Sequence, residues 1–205
     1  TIVFHHSETL STATVQQINQ MHLNRGTTAD PWLMIAYHYV INTPYVGNTV
    51  PAQKVSQGRP FEIAGSHAGT GVFSGASEET KKLMAEAGAM KCGLASGPLK
   101  EAEDKFDADG QVKANYSTVA VLIVGNYAKK SSNNPGGWPV SKPRYPTTNA
   151  IEIAGKLACQ IQRENPRVKY INWHNYSKPT SCPGTIKDRI NQIKAVAARY
   201  GCTFN

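Results

Sequence analysis

Residues 119–124 read VAVLIV, an unbroken run of apolar side chains rich in valine and isoleucine. A run of this length indicates one strand buried on both faces, because a buried helix needs ten or more residues. It is also far shorter than the roughly 20 apolar residues that cross a bilayer. We therefore expect a sheet at the centre of the fold and no membrane span.

Three other segments have the composition of strands, and two of them lead directly into histidines. Residues 2–4 are apolar and precede the His5-His6 pair. Residues 35–41 are rich in β-branched and aromatic side chains, and residues 168–173 precede His174. Strands that end in histidine place imidazoles at the edge of a sheet, where a site can form.

Helical patterns alternate with these strands. Apolar residues three apart follow a threonine cap in residues 13–24, and wider apolar stripes run through residues 147–164 and 184–200. Interleaved strands and helices predict an α/β layered domain. The fold class that we expect is a central mixed sheet flanked by helices. A chain of 205 residues suits one such domain over residues 1–205.

Net charge and cysteine content narrow the functional classes. The chain carries 22 Lys and Arg against 14 Asp and Glu, a formal charge of +8. That charge attracts polyanions, but the basic residues are scattered without interleaved aromatics, so no nucleic-acid partner is expected. Of the four cysteines, Cys159 and Cys202 can bridge in an oxidising compartment, although the sequence leaves the pairing open.

Two histidine positions and one cysteine suit a catalytic zinc site. The candidates are one of the pair His5 and His6, then His174, and Cys182 eight residues later. Zinc takes imidazole and thiolate, and a catalytic site uses three protein ligands and leaves a fourth position for water. Because side chains alternate along a strand, His5 and His6 face opposite ways, and local pattern alone does not choose between them.

Five motifs occur in an order that resembles the type 2 N-acetylmuramoyl-L-alanine amidases, the family of the peptidoglycan recognition proteins and the phage lysozyme-type amidases. They are IVFHHS (2–7), AYHYVI (36–41), GRP with GSHA (58–60 and 65–68), VLIVGNY (121–127) and residues 174–184. The resemblance implies the fold of that family. Residues from about 70 to 113 fall outside it, and we expect them to form an insertion that lines the substrate groove.

The resemblance implies a ligand set and a catalytic pair. His5, His174 and Cys182 take the places of the three zinc ligands, and Tyr37 takes that of the catalytic tyrosine. Thr180, two residues before the cysteine, stands where some family members have lysine and others threonine. The cofactor implied is Zn²⁺, which activates water and polarises the scissile carbonyl while these side chains stabilise the oxyanion.

Further positions are expected around the groove. His67, Asn126 and Lys178 are candidate substrate-binding residues, the last of them near the position of Thr180. His38 is expected to lie beside the metal ligands rather than to bind the ion, and His22 to lie on the surface of its helix.

The function implied is hydrolysis of the amide bond between N-acetylmuramic acid and L-alanine in bacterial peptidoglycan. Two alternatives stay open: a peptidoglycan-binding module without activity, and a thiol hydrolase in which Cys182 attacks after activation by His174. Since the substrate lies outside the cytoplasmic membrane, we expect a secreted monomer in the periplasm or the exterior, or delivery by a phage or a contact system.

Overall fold

The computed structural model describes residues 1–9, 13–24, 35–42, 55–59, 118–128, 142–174 and 181–205. Strands and helices alternate through these ranges. In chain order they are β1 (Ile2–His6), α1 (Val15–Leu23), β2 (Tyr39–Ile41), β3 (Val55–Gln57), β4 (Val119–Ile123), α2 (Thr148–Glu164), β5 (Ile171–Trp173), a 3-10 helix (Gly184–Arg189) and α3 (Ile190–Arg199).

The strands form one mixed sheet in the order β3-β2-β4-β1-β5. β1 lies between β4 and β5 and runs parallel to both, and β2 runs parallel to β4. β3 pairs antiparallel with β2 at the edge. Parallel neighbours put the carboxyl ends of β1, β4 and β5 at one edge of the sheet, which is where the histidines of β1 stand.

Both faces of the sheet are covered, as the predicted flanking helices require. Along β4, Val121 and Ile123 pack in one core cluster with α2 and α3, whereas Leu122 and Val124 pack in a second cluster with Ile18 of α1. Every residue of β4 is buried. Burial on both faces explains why residues 119–124 lack the alternation of a half-exposed strand.

The helix boundaries differ in detail from the sequence prediction. The pattern of residues 147–164 suggests Thr148 or Asn149 as the N-cap of α2, whereas the structure has Thr147 there, with its hydroxyl accepting the backbone N–H of Ala150. The predicted helix over residues 184–200 is divided into the 3-10 helix and α3. A positive φ of 60° at Gly184 and docking of the next residue on Tyr127 tie the first turn to the sheet.

A disulfide crosslinks the helical layer that α2 and α3 form. Cys159 of α2 bonds to Cys202, which follows α3, with 5.3 Å between the two Cα atoms. The two helices also approach closely at Gly155, where a Cβ would overlap the side chain of Val196. The bridge left open by the sequence is therefore present.

The predicted insertion at about residues 70–113 lies outside the described residues, and so does its proposed role at the groove. Among the helices that are described, none is long and apolar enough to cross a membrane.

Candidate metal centre

Strand register brings two histidines from distant parts of the chain together. Phe4 of β1 is in register with Trp173 of β5, so the residues that follow them, His5 and His174, lie side by side at the carboxyl edge. Their ring centroids are 4.6 Å apart. The parallel pairing of β1 with β5 is thus the direct cause of the imidazole pair.

The third member arrives on the segment before the 3-10 helix. The backbone N–H of Thr185 donates to the carbonyl oxygen of Tyr127 at 3.0 Å, which docks this segment on the residues after β4. The backbone N–H of His6 then donates to the sulfur of Cys182 at 3.4 Å. These two hydrogen bonds hold the sulfur against the end of β1.

The three side chains fit a zinc ion. One ligand atom from each of His5, His174 and Cys182 lies within 4.8 Å of the others, the one such grouping among the described residues. The sulfur is 3.6 Å from Nδ1 of His5. Tetrahedral zinc with bonds of about 2.3 Å to sulfur and about 2.05 Å to nitrogen separates those donors by roughly 3.6 Å.

The protonation of Cys182 bears on its role. Burial raises the pKa of the thiol to about 12, with a smaller rise from the charge of Glu8 and a partial offset from the His6 N–H. A thiol of this kind is not a ready nucleophile at neutral pH, since the attacking species is the thiolate. A zinc ion would instead displace the proton on binding.

His6, on the opposite face of β1, is a buried neutral imidazole. Its Nδ1 accepts the backbone N–H of Tyr127 at 3.1 Å, so the neutral ring carries its proton on Nε2. Burial lowers the pKa of His6 from 6.5 to about 4, despite the opposing charge of Glu8. The alternation predicted for the pair therefore places His5 toward the other ligands and His6 against the residues after β4.

Tyr37, the predicted catalytic tyrosine, lies beside the ligand His5, with 5.2 Å between ring centroids. Tyr37 also contacts the ring of His22, with 5.5 Å between centroids. The prediction that His22 lies on the helix surface is wrong: the side chain is buried, and its Nδ1 accepts the backbone N–H of Ala36 at 3.1 Å. Its position four residues after the buried Ile18 places it on the inner face of α1.

Two other predicted residues make backbone contacts. Nδ1 of His38 accepts the N–H of Ala120 at 3.0 Å, so this ring links the segment before β2 to β4. The side chain of Asn126 accepts the N–H of Ala128 at 3.1 Å, the contact of a turn residue. His67, Lys178 and Thr180 lie outside the described residues, and their roles stay predictions.

Two residues near the ligands were not singled out from the sequence. Glu8 follows the histidine pair by two residues and accepts a hydrogen bond at 3.0 Å from Ser181, which immediately precedes Cys182. The only sequence signal was their proximity to ligand candidates. Their contact, across 173 positions of chain, depends on the fold.

The described residues form a mixed five-stranded α/β fold that is similar to solved amidase structures. It is similar to the N-acetylmuramoyl-L-alanine amidase LysC from Clostridium intestinale URNW, with a TM-score of 0.54 and 18% identity over 96% of this chain and 83% of that one.

It is also similar to the endolysine N-acetylmuramoyl-L-alanine amidase LysCS from the same organism, with a TM-score of 0.54 and 19% identity over 96% of this chain and 82% of that one. At these identities the likeness concerns the fold. No protein-family model and no curated protein matches the chain.

Proposed function

We propose that this protein is a zinc-dependent amidase that hydrolyses the bond between N-acetylmuramic acid and L-alanine in peptidoglycan. The observation that carries the proposal is the convergence of His5, His174 and Cys182 with spacing suited to one zinc ion. The convergence occurs in a fold shared with two structures that bear the name of this activity.

In this proposal the three side chains hold the ion, and zinc, when bound, supplies a Lewis acid that activates water and polarises a carbonyl. Tyr37 stands next to His5, where its hydroxyl can donate to the oxyanion that forms as the amide is attacked. Thr180, two residues before the sulfur ligand, is the proposed second donor.

The sheet offers no carboxylate base where some members of the resembled family have a glutamate. The corresponding part of β4 consists of Val121, Leu122 and Ile123, all fully buried. We therefore assign proton transfer to groups at the carboxyl edge of the sheet, where Tyr37 lies beside His5.

Mass spectrometry of digested peptidoglycan tests the reaction. The proposal expects stem peptides with a free L-alanine amino terminus beside glycan strands that keep an intact lactyl group. Fragments cut within the peptide or the glycan, or no fragments, would contradict it. A Cys182→Ala variant is the matched control, because it removes one ligand and should release nothing.

Metal analysis separates the proposal from the two alternatives. We expect about one zinc per chain by elemental analysis, loss of activity in a chelator, and recovery on adding zinc. A protein that binds the wall without zinc or cleavage would be a binding module. Inactivation by a thiol alkylator that persists at saturating zinc would favour a thiol hydrolase, against which the raised pKa of Cys182 already argues.

We also propose that the protein acts outside the cytoplasm, as a monomer on the cell wall. The Cys159–Cys202 disulfide supports this location, since such bonds persist in oxidising compartments. The charge of +8 favours an acidic wall surface. Binding to isolated walls should weaken steeply as salt is raised, and salt-independent binding would remove the electrostatic part of the proposal.

A further inference from the structure

The side chain of Glu8 joins the two chain segments that carry the sulfur ligand and one imidazole ligand. Its Oε1 atom accepts a hydrogen bond at 3.0 Å from the hydroxyl of Ser181. Glu8 follows His5 by three residues, and Ser181 immediately precedes Cys182. This hydrogen bond therefore joins a residue close in sequence to His5 with the residue before Cys182. The two residues are 173 positions apart in the chain.

The carboxylate of Glu8 also lies close to His6, which contacts the sulfur of Cys182. Oε1 of Glu8 is 3.8 Å from Nε2 of His6, the ring nitrogen that carries the proton. The backbone N–H of His6 in turn donates to the sulfur of Cys182 at 3.4 Å. Glu8 thus faces the residue that precedes the cysteine and the residue that donates to its sulfur.

The turn that presents Glu8 is itself held in place. The hydroxyl of Ser7 accepts the N–H of Gly125 at 2.9 Å and lies 2.6 Å from the hydroxyl of Thr9. Glu8 has a φ of 55°, and among the described residues it is the one non-glycine with a positive φ. Residues other than glycine rarely adopt this backbone conformation without specific contacts that offset its strain.

The charge of Glu8 also suits a zinc ion with these ligands. Two neutral imidazoles and one thiolate leave a divalent ion with a net charge of +1, which a nearby carboxylate balances. The side chain of Glu8 is 52% exposed, so solvent screens much of this charge effect. The hydrogen bond to Ser181 is therefore expected to contribute more than the charge.

We propose that Glu8 is a positioning residue for the metal centre. By accepting the hydrogen bond of Ser181, it holds the Cys182 segment against the end of β1, so that the sulfur and His5 reach one ion. The inference rests on the proposed zinc site. It adds an outer contact of the kind that orients metal ligands in proteins.

The test is the zinc affinity of the full-length protein, measured by competition with a chromophoric chelator. Glu8→Ala and Ser181→Ala should each weaken zinc binding about 10-fold, the lower end of the range for outer-shell residues. The double variant should bind no more weakly than either single variant, because both remove the same contact. Glu8→Gln keeps the acceptor oxygen and should stay within about threefold of the wild type.

The matched control is Glu152→Ala, which removes a carboxylate that bonds Arg199 and Tyr200 on the helical layer. This variant should bind zinc as the wild type does. The cobalt-substituted protein adds a spectroscopic measure, since a displaced sulfur shifts the thiolate-to-cobalt absorption band in Glu8→Ala and Ser181→Ala but not in the control.

Three results would overturn the inference: unchanged affinity in both alanine variants, additive losses in the double variant, or a loss in Glu8→Gln as large as in Glu8→Ala. Failure of the proposed function looks different. A wild-type protein that binds no zinc would contradict both the proposed function and the role of Glu8. A wild type that binds zinc but releases no stem peptides ends the amidase proposal, while the affinity comparison still tests the role of Glu8.

Discussion

At the scale of single residues, the chemistry of this site depends on groups kept neutral by burial. The pKa of the Cys182 thiol is raised to about 12, and that of the His6 imidazole is lowered to about 4. A divalent ion is the natural partner of a buried thiol that otherwise keeps its proton. The tyrosine beside the ligands can be tested separately from the ligands themselves.

Tyr37→Phe removes the hydroxyl that we assign to the oxyanion. We expect kcat to fall about 10² to 10³-fold, the usual effect of losing one such donor, while bound zinc stays at the wild-type level. Turnover of a muramyl peptide and elemental analysis measure the two quantities. Tyr170→Phe is the control, because Tyr170 is 50% exposed. It precedes β5 in the chain, whereas the ligand His174 follows β5. Unchanged kcat in Tyr37→Phe would contradict the assignment.

The lowered pKa of His6 leads to a prediction of how acid affects the stability of the metal-free protein. The pKa of this residue is about 4 in the folded state and near 6.5 when unfolded, so between these values only the unfolded chain takes up the proton. Stability should therefore fall as pH is lowered from 6.5 to 4, by up to about 3 kcal/mol from this group.

Denaturant unfolding in a chelator across that pH range measures the effect. A His6→Gln variant should be less stable at pH 7, since glutamine does not reproduce the contact with Tyr127, but its stability should vary less with pH. Equal pH dependence in the two proteins would show that His6 is not the group responsible.

At the scale of elements, the site is a product of strand pairing and of one docked turn. β1 and β5 pair in parallel, which aligns His5 with His174. The turn that carries the sulfur depends on Gly184, whose φ is 60° and whose backbone lies directly against the carbonyl of Tyr127.

Gly184→Ala should therefore distort the metal centre. A Cβ at this position would overlap the carbonyl oxygen of Tyr127, so backbone must move, and we expect a loss of about 3 kcal/mol of stability together with weakened zinc binding. Gly201→Ala is the matched control. Gly201 also has a positive φ, 82°, but the nearest atom to its Cβ would be 4.0 Å away, on Arg163.

That control should lose only about 1 kcal/mol and keep its zinc affinity. Thermal or denaturant unfolding and chelator competition measure both variants. Equal effects in the two variants would mean that the close approach to Tyr127 has no part in holding the sulfur ligand.

At the scale of the whole molecule, the described residues place α1 on one face of the sheet and α2 and α3 on the other, and a disulfide crosslinks the layer of α2 and α3. The Cys159–Cys202 bond joins α2 to the segment after α3, and its two cysteines are 43 positions apart in the chain. Closing a loop of this length restricts the unfolded chain, and the chain-entropy treatment assigns it about 4 kcal/mol.

A Cys159→Ala/Cys202→Ala double variant should accordingly unfold with about 2 to 4 kcal/mol less free energy in denaturant. Zinc content should not change, because neither cysteine belongs to the metal centre. Loss of zinc along with stability would show that the helical layer and the site are coupled more tightly than the contacts indicate.

Local pattern was enough for β1, β2, β4, β5, the helical segments and the types of ligand, but it did not predict the short edge strand β3 or the division of residues 184–200. Three short-range signals are the VAVLIV run, the apolar stripe of α2, and the histidines that end β1 and follow β5. Period and composition alone predict an α/β domain with imidazoles at the carboxyl edge of its sheet. The resemblance to a family then chose His5 over His6. These predictions needed no knowledge of which strands are neighbours.

Contacts between distant segments depended on the tertiary structure. Three contacts join positions that no local pattern relates. They are the hydrogen bond from the His6 N–H to the sulfur of Cys182, the one from the Ala36 N–H to His22, and the one from Ser181 to Glu8. The physical reason is that strand order and register, rather than the spacing of residues along the chain, place these groups within a few ångströms of one another.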